Sequence, residues 1–122
     1  MMVKIDTREK FHVITFDVNI LAANMTDKMD YCLLPLLNHN VKNVIINIKD
    51  IKNIDNAAAS RFIHLQHIFY EQNASFVVCE LQPDVKVALD TAGLLESLNV
   101  TPTESEASDI ILMEELEREM FG

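Results

Sequence analysis

The run Val44-Ile45-Ile46-Asn47-Ile48, followed by Ile54-Asp55 and then Asn56-Ala57-Ala58-Ala59-Ser60, constrains this chain more than any other stretch. The first part is almost continuously apolar and rich in β-branched residues, which suits a central strand covered on both faces. The last part reads as a helix start, with Asp55 in the capping position. A strand delivered into a helix N-terminus places free backbone N–H groups and the positive end of the helix dipole at one surface point. Such a point suits phosphate chemistry or a docking partner.

The flanking segments alternate in the same way. Val3 to Asp6 and Phe11 to Phe16 read as strands joined by the polar turn Thr7-Arg8-Glu9-Lys10, and Asp17 to Asn24 reads as extended. Thr26 is expected to cap a helix carrying Met29, Cys32, Leu33, Leu36 and Leu37 to about Asn40, with a kink or a late start at Pro35. After Asp55 the helix is expected to reach about Gln72, with Ala58, Phe62, Leu65 and Phe69 inward and Ser60, His64, His67 and Glu71 opposite. Phe76 to Leu81 is the next strand. Pro83 opens a short helix with Val85, Ala88 and Leu89 inward, and Gly93 stops it. Leu98 to Val100 closes the strand set. Thr103 and Glu106 form a capping box for a final helix with Ile110, Ile111, Met113 and Leu116 inward. The order implies an α/β layer fold in one domain over residues 1–122, a small mixed sheet of four to five strands with about four helices on it.

Charge and composition remove several function classes. The net charge is −9, and all of the excess lies in residues 57–122, where three Lys or Arg face twelve Asp or Glu. Such a surface repels nucleic acid and favours a partner with a basic face. No apolar run has the length of a membrane span, and Met1-Met2-Val3-Lys4-Ile5-Asp6 lacks the apolar stretch of a signal peptide, so a soluble cytoplasmic protein is expected. Cys32 and Cys79 stand alone in apolar surroundings and read as structural thiols. His64, His67 and Glu71 share a helical stripe that could touch one metal ion, but no fourth ligand is evident and the stripe reads as a solvated face. Gly-rich phosphate loops, Gly-x-Ser-x-Gly and Cys-x-x-Cys are all missing from the sequence, so no enzyme, metal or cofactor is expected.

The junction, together with Phe76-Val77-Val78-Cys79-Glu80-Leu81, Gln82-Pro83-Asp84-Val85 and Ala88-Leu89-Asp90-Thr91-Ala92-Gly93-Leu94, resembles the STAS family of sulphate-transporter and anti-sigma-factor-antagonist domains, from about Ile5 to Leu116. In that family a strand leads to Asp-Ser-Ser-Gly at a helix start, and a partner kinase phosphorylates the second Ser to switch partner binding off. Here Asp55 takes the Asp, Asn56 the first Ser, Ala57 the second Ser and Ala58 the Gly. A methyl group cannot be phosphorylated, so the usual switch cannot operate at Ala57. The resemblance implies docking of an anti-sigma factor or its serine-kinase domain on Asp55, Asn56, Ala57, Ala58, Ser60 and His64, with small residues at 57 and 58 permitting close approach. Ser60, about one turn further on, is a candidate displaced phosphosite. The alternatives are a structural subunit of a membrane transporter or a scaffold in a signalling assembly.

Overall fold

A computed structural model describes residues 2–121. Met1 and Gly122, which the expected domain boundaries include, lie outside the described residues. Five strands form one sheet in the order β1 (Met2–Thr7), β2 (His12–Asp17), β4 (Val44–Asn47), β6 (Phe76–Cys79), β7 (Val100–Thr101). β1 and β2 are antiparallel, in register from Met2 opposite Asp17 to Thr7 opposite His12, and their turn is closed by Arg8 N–H donating to the Phe11 carbonyl at 2.8 Å. The other neighbours are parallel, an arrangement that needs the crossover connections the helices provide. A second ladder of two parallel strands, β3 (Ile20–Leu21) and β5 (Asn53–Ile54), stands apart from the sheet.

The helices are α1 (Thr26–Leu33), α2 (Asn56–Glu71), α3 (Pro83–Thr91) and α4 (Glu104–Phe121). Period-two alternation divides β2, β4 and β6 between two cores. Ile14, Phe16, Val44, Ile46, Phe76 and Val78 face one way and meet Met29 and Leu33 of α1, Phe62, Leu65 and Phe69 of α2, and Val85 and Leu89 of α3. Val13, Ile45, Val77 and Cys79 face the other way and meet Ala107 and Ile111 of α4. Phe62 links the larger core, with ring centroids 6.0 Å from Phe16 and 6.4 Å from Phe76. Truncating such a ring costs about 3–5 kcal/mol through lost transfer energy and the cavity left behind. Among the described residues, no helix is long and apolar enough to cross a membrane.

Helix ends follow local chemistry. Pro35 has no N–H to continue the ladder, so α1 stops at Leu33 and the chain tightens into a 3₁₀ turn over Leu34–Asn38. Gly93 takes φ +73°, and Gly93 N–H to Asp90 O with Leu94 N–H to Leu89 O completes a paired cap on α3. Asn73, with φ +59°, closes α2 in the same way, Asn73 N–H donating to the Tyr70 carbonyl and Ala74 N–H to the Phe69 carbonyl.

Several expectations need correction. Thr26 does not cap α1: a 3₁₀ turn over Ala23–Met25 precedes it, and its hydroxyl donates back to the Ala23 carbonyl at 3.0 Å. Ala88 is exposed, because α3 is short and its buried contacts are met by Val85 and Leu89. The last strand is Val100–Thr101 rather than Leu98 to Val100, since Leu98 follows the 3₁₀ turn Leu95–Ser97 and only Val100 and Thr101 pair with Val78 and Cys79. Only half of the capping box forms: Thr103 Oγ1 accepts from Glu106 N–H at 3.2 Å, and the Glu106 carboxylate turns to the Thr103 hydroxyl instead of the backbone. Met113 and Leu116 point outward, at 57% and 55% exposure.

Candidate functional site

The start of α2 is an exposed corner braced by the small ladder. Asp55 N–H donates to the Leu21 carbonyl at 2.9 Å, and Lys52 N–H donates to the Asn19 carbonyl at 2.7 Å, so β3 fixes where the helix begins. Asp55 is extended, with φ −75° and ψ 146°, and its carbonyl accepts the first helical bond from Ala59 N–H at 3.0 Å. Its backbone therefore occupies the cap position.

Its side chain does something else. Asp55 Oδ2 accepts from Ala23 N–H at 3.1 Å, and among the described residues no side chain bonds the first turn of α2. The expected carboxylate cap is replaced by a cross-link to the segment before α1. The consequence is electrostatic: the opening N–H groups of α2 keep their partial positive charge turned outward, available to water or to an incoming carbonyl or carboxylate.

Asn56, Ala57 and Ser60 are exposed, and His64 continues the same face two turns from Asn56. Ala58 is fully buried against the larger core, so it offers no surface for close approach by a partner and instead lets α2 lie close to the sheet. Ala57 alone of the two small residues presents its methyl group outward. Ile20, unremarked in the sequence, is 54% exposed on the ladder that joins this helix start, and adds an apolar contact beside it. Its exposure follows from register: Leu21 of the same strand is buried, and neighbouring side chains alternate.

The remaining polar stripe of α2 is solvated. His67 Nε2 lies 2.6 Å from Glu71 Oε1 with both side chains largely exposed, and among the described residues no three His, Cys, Asp or Glu side chains gather as a metal site. Arg61 turns away from the stripe to bond Asp30 at 3.0 Å, tying α1 to α2. Tyr70 and Cys79 have altered proton affinities, but neither serves this corner. Burial, reinforced by its hydrogen bond to Glu114, pushes the Tyr70 phenol up to about 12 toward the far end of α2. Burial, with the nearby charges of Glu104 and Glu80, pushes the Cys79 thiol up to about 12 on the α4 side of the sheet. Cys32 is only partly buried.

Comparisons with known proteins identify the fold. The model of the STAS domain matches residues 2–107. An anti-sigma-factor antagonist (STAS) domain protein from Planctomyces limnophilus superposes with a TM-score of 0.73 at 15% identity, covering 92% of this chain and 97% of that one. A variant of RsbS from Moorella thermoacetica gives 0.74 at 17% identity, covering 97% and 99%. The murine anion transporter Solute Carrier 26 family member A9 gives 0.71 at 10% identity, covering 84% of this chain but only 18% of the transporter. No curated protein sequence matches.

Proposed function

Because the chain belongs to the STAS domain family, we propose that it acts as an interaction module of the anti-sigma-factor-antagonist kind, docking an anti-sigma factor or its serine-kinase domain at the start of α2. The observation that carries this reading is the exposed, uncapped first turn of α2 with Ala57 outward at the position where the family motif has its modifiable Ser. Asp55 sets the helix start, Asn56 and Ser60 offer polar contacts, and His64 and Ile20 border the surface. Occupying the kinase in the cytoplasm would release the sigma factor that it restrains.

The mechanism is competitive occupation without a covalent switch at the helix start. In switched relatives a phosphate at this position opposes docking by charge repulsion and desolvation. Ala57 cannot accept a phosphoryl group, so occupancy follows the amounts of the two proteins. On this reading Ser60 supplies a contact and stays unmodified.

Ala57→Asp separates docking from folding. A carboxylate in the first turn of α2 favours the helix dipole and should leave the fold as stable or raise it by about 0.3–1 kcal/mol. The same charge should weaken the complex with an anti-sigma kinase captured from the native organism, in calorimetric titration, by at least about tenfold. Equal affinity of Ala57→Asp and the natural chain would remove this surface from the interface.

The structural match to the murine transporter supports one second reading, a STAS-type subunit bracing a membrane transporter. The mass of the purified complex distinguishes a kinase from a transporter.

A further inference from the structure

The outer face of α4 is built the opposite way from an ordinary surface helix. Its inner side is apolar at Ala107 and Ile111, with Ile110 partly buried beside them. Beyond them the contacts with the body are polar. Glu114 Oε1 accepts from the Tyr70 hydroxyl at 2.8 Å and the Ser75 hydroxyl at 2.7 Å. Arg118 donates to Ser75 Oγ at 2.7 Å, and Glu115 accepts from Asn43 at 2.8 Å. Polar groups thus hold the C-terminal half of the helix down.

The apolar side chains of that half face away. Leu112, Leu116 and Met120 follow one another at i, i+4 and i+8, with Met113 beside them, and they are 45%, 55%, 65% and 57% exposed respectively. One continuous stripe results, ending near the 84% exposed Phe121. Glu117 and Glu119 border it on either side, and Asp109 lies at its N-terminal end. The one cation of α4, Arg118, is turned inward and engaged. The stripe therefore has acidic borders and no basic group of its own.

We propose that this face of α4 is a second docking surface, for a partner helix whose apolar stripe is bordered by lysines or arginines. Charge selects this occupant. A second copy of the chain would set Glu117 and Glu119 against like charges, on molecules already carrying a net charge of −9. An anionic lipid surface would be repelled for the same reason. A basic amphipathic helix gains from both components, packing leucines or methionines into the stripe while its cations meet the acidic borders. From Leu112 to Phe121 the stripe covers about three helical turns. An interface that short suits a transient complex rather than a permanent one. It shares no residue with the start of α2, so either surface can fail alone.

The probe is a fluorescein-labelled leucine–lysine amphipathic helical peptide, with a leucine–glutamate peptide of the same apolar pattern as its counterpart, titrated against the full chain by fluorescence anisotropy. The lysine peptide should bind and the glutamate peptide should not. Leu116→Ser with Met120→Ser, which alters only exposed side chains, should leave the thermal midpoint in place and weaken the lysine peptide at least about tenfold. Glu117→Gln with Glu119→Gln should weaken it as well and flatten its salt dependence. Equal binding by the serine variant would show bulk charge attraction and overturn the proposal, as would failure of the natural chain to bind the lysine peptide. Self-association of the natural chain in sedimentation, abolished by the serine variant, would assign the face to a second copy. Binding to phosphatidylglycerol vesicles that the serine variant loses would assign it to lipid. Either result would overturn the proposal.

Discussion

Asp55 and Ala57 show how differently two neighbouring residues depend on the rest of the chain. Ala57 lies outward because Ala58, Phe62, Leu65 and Phe69 claim the inner face of α2, and that spacing is written in the sequence. The partner of Asp55 is not. Its carboxylate bonds Ala23 N–H, thirty-two positions away, and only the folded ladder of β3 and β5 brings the two together. The same distinction applies to Cys79, whose neighbours in sequence announce burial and the adjacent Glu80 but not Glu104, which only the fold brings near. Burial and those charges make the folded protein hold the Cys79 proton up to about 12, against 9.0 for an ordinary thiol, and Tyr70 likewise up to about 12 against 10.0. Raised values mean that the folded state keeps protons the unfolded chain has already released, so their stabilising effect is complete below pH 9 and is lost as pH rises toward 12. Urea unfolding midpoints should therefore fall steadily above about pH 9, with the onset moved to about pH 10 in Cys79→Ala, where only Tyr70 remains. An unchanged onset in Cys79→Ala would mean that the thiol carries no such linkage.

At the scale of elements, apolar runs and punctuation carried most of the reading. β4 and β6 are buried on both faces because their neighbours are parallel strands and helices lie above and below. Gly93 and Pro35 act where their backbone chemistry requires, one as a left-handed stop and the other as a break into a 3₁₀ turn. α4 escaped the same logic. Periodicity placed Met113 and Leu116 inward, yet the groups awaiting this helix are Asn43, Tyr70 and Ser75, so polar side chains turned in and apolar ones out. Nothing in the helix itself announces a polar seat contributed by three other segments. If that seat is what fixes the C-terminal half of α4, Arg118→Met should destabilise the fold by about 1–3 kcal/mol despite adding apolar surface. Amide exchange should then rise mainly beyond Ile111. A neutral or stabilising Arg118→Met would show that the apolar contacts of Ala107, Ile110 and Ile111 secure the helix.

Across the whole molecule, the mixed sheet, its antiparallel hairpin and the helices on both faces follow from the alternation of strand and helix patterns; the family model covers residues 2–107 and so ends in the first turn of α4. The α2 corner was legible as a position but not as a surface. The sequence offered both Ala57 and Ala58 to a partner; the larger core takes Ala58, and Ile20 comes in from β3. Acidic side chains concentrated in residues 57–122 favour basic partners at the α4 face, whereas the start of α2 presents the positive end of its helix dipole. The most direct test of docking at the α2 corner is hydrogen–deuterium exchange on the chain alone and in complex with the partner captured from the native organism. Amides in the first turn of α2 lack helical acceptors and exchange readily when free. Docking there should slow exchange from Asn56 to Ser60 and at Ile20–Leu21. Unchanged exchange over Asn56 to Ser60, with protection confined to other segments, would contradict it.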